Sequence, residues 1–383
     1  MQVTFFIDNK LGGVSSLCYN LMKNADQNLY EQKVIHIDLE ESDISPANVE
    51  YPNASNLYFH YSLNENAYKA IERLNKMLPD EHGALVLNYG LEMQMLDHYP
   101  VPQTVFQLVH DDYNLKLSKK YGHIADVFIS HNHHIFESLQ EMLPHRKDDI
   151  FYLPHGVTIP LVYQMHENDS ERGPIKLLFL GRMSKGKGIH DLPVISEMLR
   201  QKGVQFQWVC IGNGPELETL KKNWHTEDAV QFLSPASNEE VINICSEQDV
   251  FVLPTKFEGS PVSLLETMSV GLVPVITDLA GGIREIVDEK IGFRIPENDN
   301  MAFANAIDTL YRNRPLLKSL SKNCRARIEE KFDIRQTSVR YYSLFSEFEK
   351  RYKQKKIKKL KVGSRLDQSW LPSFITRSIR NRF

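Results

Sequence analysis

Two carboxylates, Glu258 and Glu266, are separated by seven residues in the run Phe257-Glu258-Gly259-Ser260-Pro261-Val262-Ser263-Leu264-Leu265-Glu266. The apolar stretch Val250-Phe251-Val252-Leu253-Pro254 just before them predicts a buried strand. Ser260 fits an N-cap, and Pro261 fits the first helical residue, where a missing N–H costs nothing. Val262, Leu265 and Met268 follow at helical spacing, and Gly271 fits the stop beyond the helix. Glu258 is therefore expected on a loop at the carboxyl end of a strand, with Glu266 about two turns along the next helix. Free backbone N–H groups and the positive helix end between them would bind an anion. Amides favour phosphate, whereas carboxylates accept well from hydroxyls, and a nucleotide-sugar carries both. The competing reading is a pair of solvated surface charges, because glutamate is seldom buried.

The elements that must position these groups follow from alternating apolar runs and helical patterns. Val3–Ile7, Val34–Leu39, Leu57–His60, Ala84–Leu87, Thr104–Val109, Val127–Ser130 and Ile150–Leu153 are strand candidates. Helical stretches are expected at Val14–Met22, Glu65–Met77 and Asn132–Glu141. Polar residues 161–174 break the pattern and suggest an interdomain linker. The alternation restarts with strands at Ile175–Leu180, Gln205–Ile211, Val230–Phe232, Val250–Leu253 and Val273–Thr277. Helices are expected at Asp191–Lys202, Pro215–Asn223, Glu239–Ser246, Pro261–Val270 and Met301–Tyr311. Two successive α/β units predict two doubly wound, Rossmann-like domains facing across a cleft. The chain has 383 residues, 42% hydrophobic and 25% charged, which suits two soluble cores.

Each half opens with a glycine-bearing turn after its first strand. The first is Lys10-Leu11-Gly12-Gly13. The second is Gly181-Arg182-Met183-Ser184-Lys185-Gly186-Lys187-Gly188, where Arg182 and Lys187 add positive charge at the carboxyl end of a strand. Gly212-Asn213-Gly214-Pro215 and Gly281-Gly282 form two more flexible turns.

The stretches GRMSKGKG, GNGPEL and FEGSPVSLLETMSVGLVPVITDLAGGIREIV resemble the retaining glycosyltransferases of the GT-B fold, family 4 type, with its E-x7-E region. The likeness is strong over roughly residues 175–290. In the first half it covers only the GG loop, the turn at His110, and Tyr152-Leu153-Pro154-His155-Gly156-Val157. The resemblance implies that Arg182 and Lys187 neutralise the donor diphosphate. It implies that Glu258 hydrogen-bonds the transferred sugar and Glu266 holds the ribose. Gly259, Ser260 and Val262 would offer amides, Gly212 and Gly214 would help cradle the nucleotide, and Gly12 and Gly13 would approach the phosphates. His110 would sit by the sugar, as a catalytic residue beside Glu258, Arg182 and Lys187. The chain departs from the pattern at Ser260-Pro261, where Pro261 removes an N–H, at His155 in place of asparagine, and at the acidic His110-Asp111-Asp112. Asp111 and Asp112 stay unranked.

Breaking a sugar–diphosphate bond puts negative charge on the leaving group, so fixed donors and cations should face it. Arg182, Lys187 and the helix start would supply them. No two Asp stand two apart, so an Asp-x-Asp metal site is not expected, and neither a metal nor a further cofactor is predicted. The donor is expected to be a UDP- or GDP-type sugar and the acceptor a saccharide or lipid-linked glycan. A two-carboxylate glycosidase needs its pair flanking one bond. Glu266, two turns away, should instead meet another part of the ligand. A dehydrogenase is disfavoured for want of a G-x-G-x-x-G with its distant acid. An epimerase or phosphorylase on the same fold, or a non-catalytic nucleotide-sugar-binding protein, are the alternatives.

The chain is net −4, yet Lys350 to Phe383 holds twelve Lys/Arg against the single acid Asp367. With Trp370 and Phe374 nearby, this suits either a solvated tail or an anionic membrane surface. Nucleic acid is not expected, since no stacking platform accompanies the charge. Four scattered cysteines, no secretory pattern and no long apolar run point to a cytoplasmic chain, and the membrane alternative for the tail would make it peripheral at the inner membrane face. The expected domains are 1–165 for the acceptor, 166–335 for the nucleotide-sugar, a helix at 336–350 packing back on both, and the basic tail 351–383. The run His131-Asn132-His133-His134 is read as surface or packing.

Overall fold

Parallel strands carry both halves of the chain. A computed structural model describes residues 1–10, 12–42, 46, 48–160, 173–224, 229–234, 237–259 and 261–380. Residues 161–172 of the linker expected at 161–174, Leu11 and Ser260 therefore lie outside the described residues. The chain divides into two units. Unit 1 is Met1–Pro154 with Arg335–Phe383, and unit 2 is His155–Ile334.

Unit 1 contains β1 (Gln2–Asp8), β2 (Glu31–Leu39), β3 (Ala54–Tyr61), β4 (Gly83–Leu87), β5 (Thr104–Val109), β6 (Val127–Ser130) and β7 (Ile150–Tyr152). They form one sheet in the order β3-β2-β1-β4-β5-β6-β7. Unit 2 contains β8 (Ile175–Leu180), β9 (Phe206–Ile211), β10 (Val230–Leu233), β11 (Val250–Leu253), β12 (Val273–Thr277) and β13 (Phe293–Ile295), in the order β10-β9-β8-β11-β12-β13. The pairs within both sheets are parallel. Helices on the crossovers cover the sheet faces, which is why inner strands such as β4, β5, β11 and β12 are buried along their whole length. The strand order reverses between β1 and β4 and between β8 and β11. In such sheets ligands bind outside the carboxyl ends at that switch point.

The strands expected from sequence are present within a few residues of their predicted ends. The helices Gly90–Leu96, Asp112–Tyr121 and Arg314–Lys331 and strand β13 carry no strong pattern and were not foreseen. The last long helix, Ile334–Ser346, sends Tyr341, Tyr342 and Phe345 into unit 1, where the Phe345 ring meets Phe106 at 5.1 Å and Phe5 at 6.1 Å. The basic segment beyond it is laid along unit 1. Lys355 forms a buried ion pair with Asp126, Lys353 pairs with Asp149, and the amides of Lys358 and Leu360 donate to the Asp97 carboxylate. Val362 is buried in the unit 1 core. Part of the charge that the sequence suggests for a surface is thus spent inside the fold. No helix among the described residues is long and apolar enough to cross a membrane.

Candidate functional site

The loops after β8 and β11 flank the switch point of unit 2, and this topology brings distant residues together. The first loop runs through Gly181 to Gly188 and ends in a single turn of 3₁₀ helix, Lys185–Lys187. Gly188 closes it with φ of +67°, and a Cβ there would lie 1.8 Å from the Pro254 carbonyl oxygen, so only glycine fits. Thr255, buried after β11, ties the loops: its Oγ1 donates to the carbonyls of Gly186 and Phe257 at 3.2 and 3.0 Å. The Lys256 amide donates to the same Gly186 carbonyl at 2.9 Å.

This fastening seats Lys187 against Glu258 in an ion pair. The Glu258 side chain is only 9% exposed. Burial pushes its carboxyl up, and the Lys187 ammonium opposes that shift. Sequence reasoning sent the two residues to different parts of a ligand; in the structure each is the other's partner. An ammonium has three donors, so Lys187 keeps two for other acceptors. Arg182 is exposed and makes no ion pair among the described residues.

The following helix spans Val262–Ser269, with Pro261 as its N-cap at φ −70° and ψ 107°. The expected helix start is therefore displaced by one residue: Pro261 caps rather than opens it. The Leu264 amide already donates to the Pro261 carbonyl at 3.1 Å. The amides of Gly259, Val262 and Ser263 have no acceptor among the described residues. Three donors at a helix N-terminus make an anion site without side-chain charge. Gly271, at φ +87°, ends the helix as its spacing predicts.

Glu266 is partly buried on this helix. Burial raises its carboxyl to about 7. It has no cation partner among the described residues, in contrast to Glu258. The two carboxylates thus differ in kind: one is charge-paired, the other is poised to accept or give up a proton near neutrality.

Two glycine turns shape the rest of the rim. Gly212 has φ of +142°, and a Cβ would lie 1.9 Å from the Gly181 carbonyl oxygen; at Gly214 it would lie 2.4 Å from that of Met183. These glycines let the turn after β9 press against the turn after β8. The Gly282 amide donates to the Gly259 carbonyl at 3.1 Å, which links the loop after β12 to the Glu258 loop. Sequence reasoning missed Glu216, which accepts from His190 Nε2 at 2.9 Å and lies 3.7 Å from Lys185 Nζ. It also missed Thr255. An unremarkable threonine in a loop carries no signal of its own.

In unit 1, Gly12 and Gly13 are exposed at the start of the helix Gly13–Lys23, and the Gly12 amide is committed to Ser15 Oγ at 2.9 Å. His110 is buried, with Nε2 on Asn88 Oδ1 at 2.8 Å and its ring stacked on His131 at 4.6 Å. Asp111 is the N-cap of Asp112–Tyr121, accepting from the Asn114 amide at 3.0 Å, and Asp112 occupies the first turn. Burial pulls His131 down to about 4, and Tyr341 holds its Nδ1 at 2.8 Å. Asn132 caps the helix His133–Met142. The histidine-rich run therefore includes one core residue and one cap.

The architecture is the GT-B type, two Rossmann-like parallel sheets with helices. Solved structures share it along most of the chain. Sucrose-phosphate synthase from Thermosynechococcus elongatus matches with a TM-score of 0.73 at 18% identity, over 91% of this chain and 99% of that one. HepE of Anabaena, solved with UDP-glucose, matches with a TM-score of 0.73 at 16% identity, over 91% and 100%.

Within that fold, residues 164–327 match the family model for glycosyl transferases group 1. The chain is 32% identical over 171 residues to WcaL of Escherichia coli (strain K12), whose name assigns it provisionally to colanic acid biosynthesis as a glycosyltransferase. It is 29% identical over 184 residues to CapM of Staphylococcus aureus, a capsular polysaccharide biosynthesis glycosyltransferase. The aligned region spans 42% of this chain and 42% of WcaL, and 44% and 47% for CapM.

Proposed function

We propose that this protein is a retaining, metal-independent glycosyltransferase. It moves a hexose from a UDP- or GDP-type sugar to a saccharide or lipid-linked glycan in envelope or capsule polysaccharide synthesis. The observation that carries this reading is the Lys187–Glu258 ion pair at the switch point of unit 2, beside the amides of Gly259, Val262 and Ser263, which have no acceptor among the described residues. A carboxylate alone would repel a diphosphate. With Lys187 between them, the ammonium faces the phosphates while Glu258 keeps an oxygen for sugar hydroxyls. Glu266 takes the ribose hydroxyls. The names of CapM and WcaL support a polysaccharide product, and the UDP-glucose complex of HepE supports the donor class.

Catalysis then rests on electrostatic stabilisation. The bond from sugar C1 to the diphosphate oxygen breaks, and its electron pair stays on the phosphate. Arg182, Lys187 and the amides of Gly259 and Val262 stabilise the charge that develops there. The acceptor hydroxyl attacks C1 from the face the phosphate leaves, and the departing phosphate oxygen takes the hydroxyl proton. Retention follows from that geometry.

Thermal-shift measurements against a panel of UDP- and GDP-sugars test the donor reading. A concentration-dependent rise in melting temperature with at least one is expected; no response across the panel contradicts it. An inverted anomer in the NMR spectrum of the product would overturn retention. The reading extends to a cytoplasmic enzyme held at the inner membrane face by Trp370 and Phe374, which are 75% and 72% exposed beside Arg377. Because Lys355 and Val362 are buried, deleting the tail would damage unit 1. Liposome sedimentation of a Trp370→Ala/Phe374→Ala variant is the appropriate comparison, and equal binding of anionic vesicles would remove the membrane role.

A further inference from the structure

Unit 2 carries a second cluster of charge beside the Glu258 loop. The chain leaves β12 at Thr277, turns through Gly281 at φ of +100°, and enters the short helix Gly282–Ile286. The bond from the Gly282 amide to the Gly259 carbonyl fixes that turn next to Glu258. β13 lies alongside, with Arg294 in register with Ile276, and the Asp278 amide donates to the Ile295 carbonyl at 2.7 Å. Asp278, Arg284 and Arg294 are thereby brought together from three separate stretches.

Two guanidinium groups share one carboxylate there. Arg284 grips Asp278 as a fork, Nε on Oδ1 at 2.9 Å and Nη2 on Oδ2 at 3.2 Å. Arg294 reaches the same Oδ1 through Nη1 at 3.4 Å. A guanidinium has five N–H donors. Neither arginine side chain makes another hydrogen bond among the described residues, so both keep donors to spare. Both face solvent, Arg284 at 53% and Arg294 at 34% exposed. Stability gives little reason for the arrangement: an exposed ion pair contributes little, and a second cation on the same oxygen repels the first.

The open donors select a ligand. A guanidinium fork matches the two coplanar oxygens of a carboxylate, and Asp278 displays that fit within the protein. A hydrocarbon would strand the charges, and a neutral hydroxyl gains nothing from the surplus cation. The donor diphosphate already has Arg182 and Lys187. Beside a pocket for sugars, the matching group is the carboxylate of a uronic acid.

We propose that Arg284 and Arg294 read a sugar carboxylate, with Asp278 as its stand-in while the site is empty. That the carboxylate belongs to a sugar rests on the transferase reading; the carboxylate site does not. On the donor, it narrows the transferred hexose to a hexuronic acid; on the acceptor, it selects an acidic glycan.

Isothermal titration of the full chain separates these sources. The donor arm compares UDP-glucuronate with UDP-glucose and GDP-mannuronate with GDP-mannose. The acceptor arm compares methyl glucuronide with methyl glucoside on protein saturated with UDP or GDP. Sodium acetate is the carboxylate without a sugar. In at least one arm the uronate should bind about tenfold tighter than its neutral counterpart. The double variant Arg284→Gln/Arg294→Gln should lose that preference and keep the affinity for the neutral ligand. Asp278→Asn removes the internal competitor and should tighten uronate binding severalfold. A neutral nucleotide-sugar that binds, with no uronate preference in either arm, overturns the proposal and leaves the donor reading standing. A preference that survives in the double variant, or falls in Asp278→Asn, overturns it too. So does acetate that displaces the uronate at equal concentration. A uronide preference that depends on both arginines, with no nucleotide-sugar bound in the donor arm, sinks the donor reading alone.

Discussion

Glu266→Gln should make the protein more stable at pH 8 while weakening its hold on a nucleotide-sugar. Burial raises the Glu266 carboxyl from 4.5 to about 7, with no cation among the described residues to offset it. Because the folded-state value lies above the unfolded one, the folded protein keeps its proton longer. Stability from this group is therefore present below pH 4.5 and falls as pH rises through the window up to about 7. The gap corresponds to at most about 3 kcal/mol, an upper bound for a side chain partly open to solvent. For a domain of this size that is roughly 5–10 °C in melting temperature. Differential scanning calorimetry of both proteins at pH 5, 6.5 and 8 measures it. The wild-type transition should drop relative to the variant as pH rises. On the binding side, replacing a charged acceptor of ribose hydroxyls should cost about 1.5–3 kcal/mol, or roughly tenfold to a hundredfold in Kd. Parallel stability curves, or a variant that is less stable at pH 8, would refute an uncompensated buried carboxylate.

Glu258→Ala should lower transfer by at least about a hundredfold with the circular dichroism spectrum intact; near-normal turnover would remove Glu258 from the site. Gly188→Ala combines a left-handed backbone with a clash at the Pro254 carbonyl and should destabilise by about 2 kcal/mol or more, read from the urea midpoint. Lys355→Met strands the buried Asp126 carboxylate and should cost about 3–5 kcal/mol. Adding Asp126→Leu should recover much of that loss, and a double variant as unstable as the sum of the singles would deny the coupling.

The alternation of apolar runs made both sheets legible, because parallel strands buried on both faces must be continuously apolar. The helix Asp112–Tyr121 escaped notice because its sequence, DYNLKLSKKY, has few apolar residues to mark a face, and its start is secured by the Asp111 cap. The site was legible in part. Glu258, Lys187, Arg182 and Glu266 stood out by type and by the glycines around them. Their pairing did not, because Lys187 meets Glu258 only when strand order sets β8 beside β11. Glu216 and Thr255 act through contacts that no local spacing encodes. The basic tail misled most. Its composition suggests a free, charged surface, yet Lys355, Val362 and Asp367 are buried against unit 1.

The grip proposed for unit 2 holds a nucleotide-sugar between Glu258 and Glu266. A crystal structure of the protein soaked with the nucleotide-sugar that stabilises it tests this most directly. The diphosphate should lie on Arg182, Lys187 and the amides of Gly259 and Val262, the ribose hydroxyls on Glu266, and the sugar against Glu258. Density for the nucleotide elsewhere in the protein, with Lys187 and Glu258 still engaged only with each other, would contradict it.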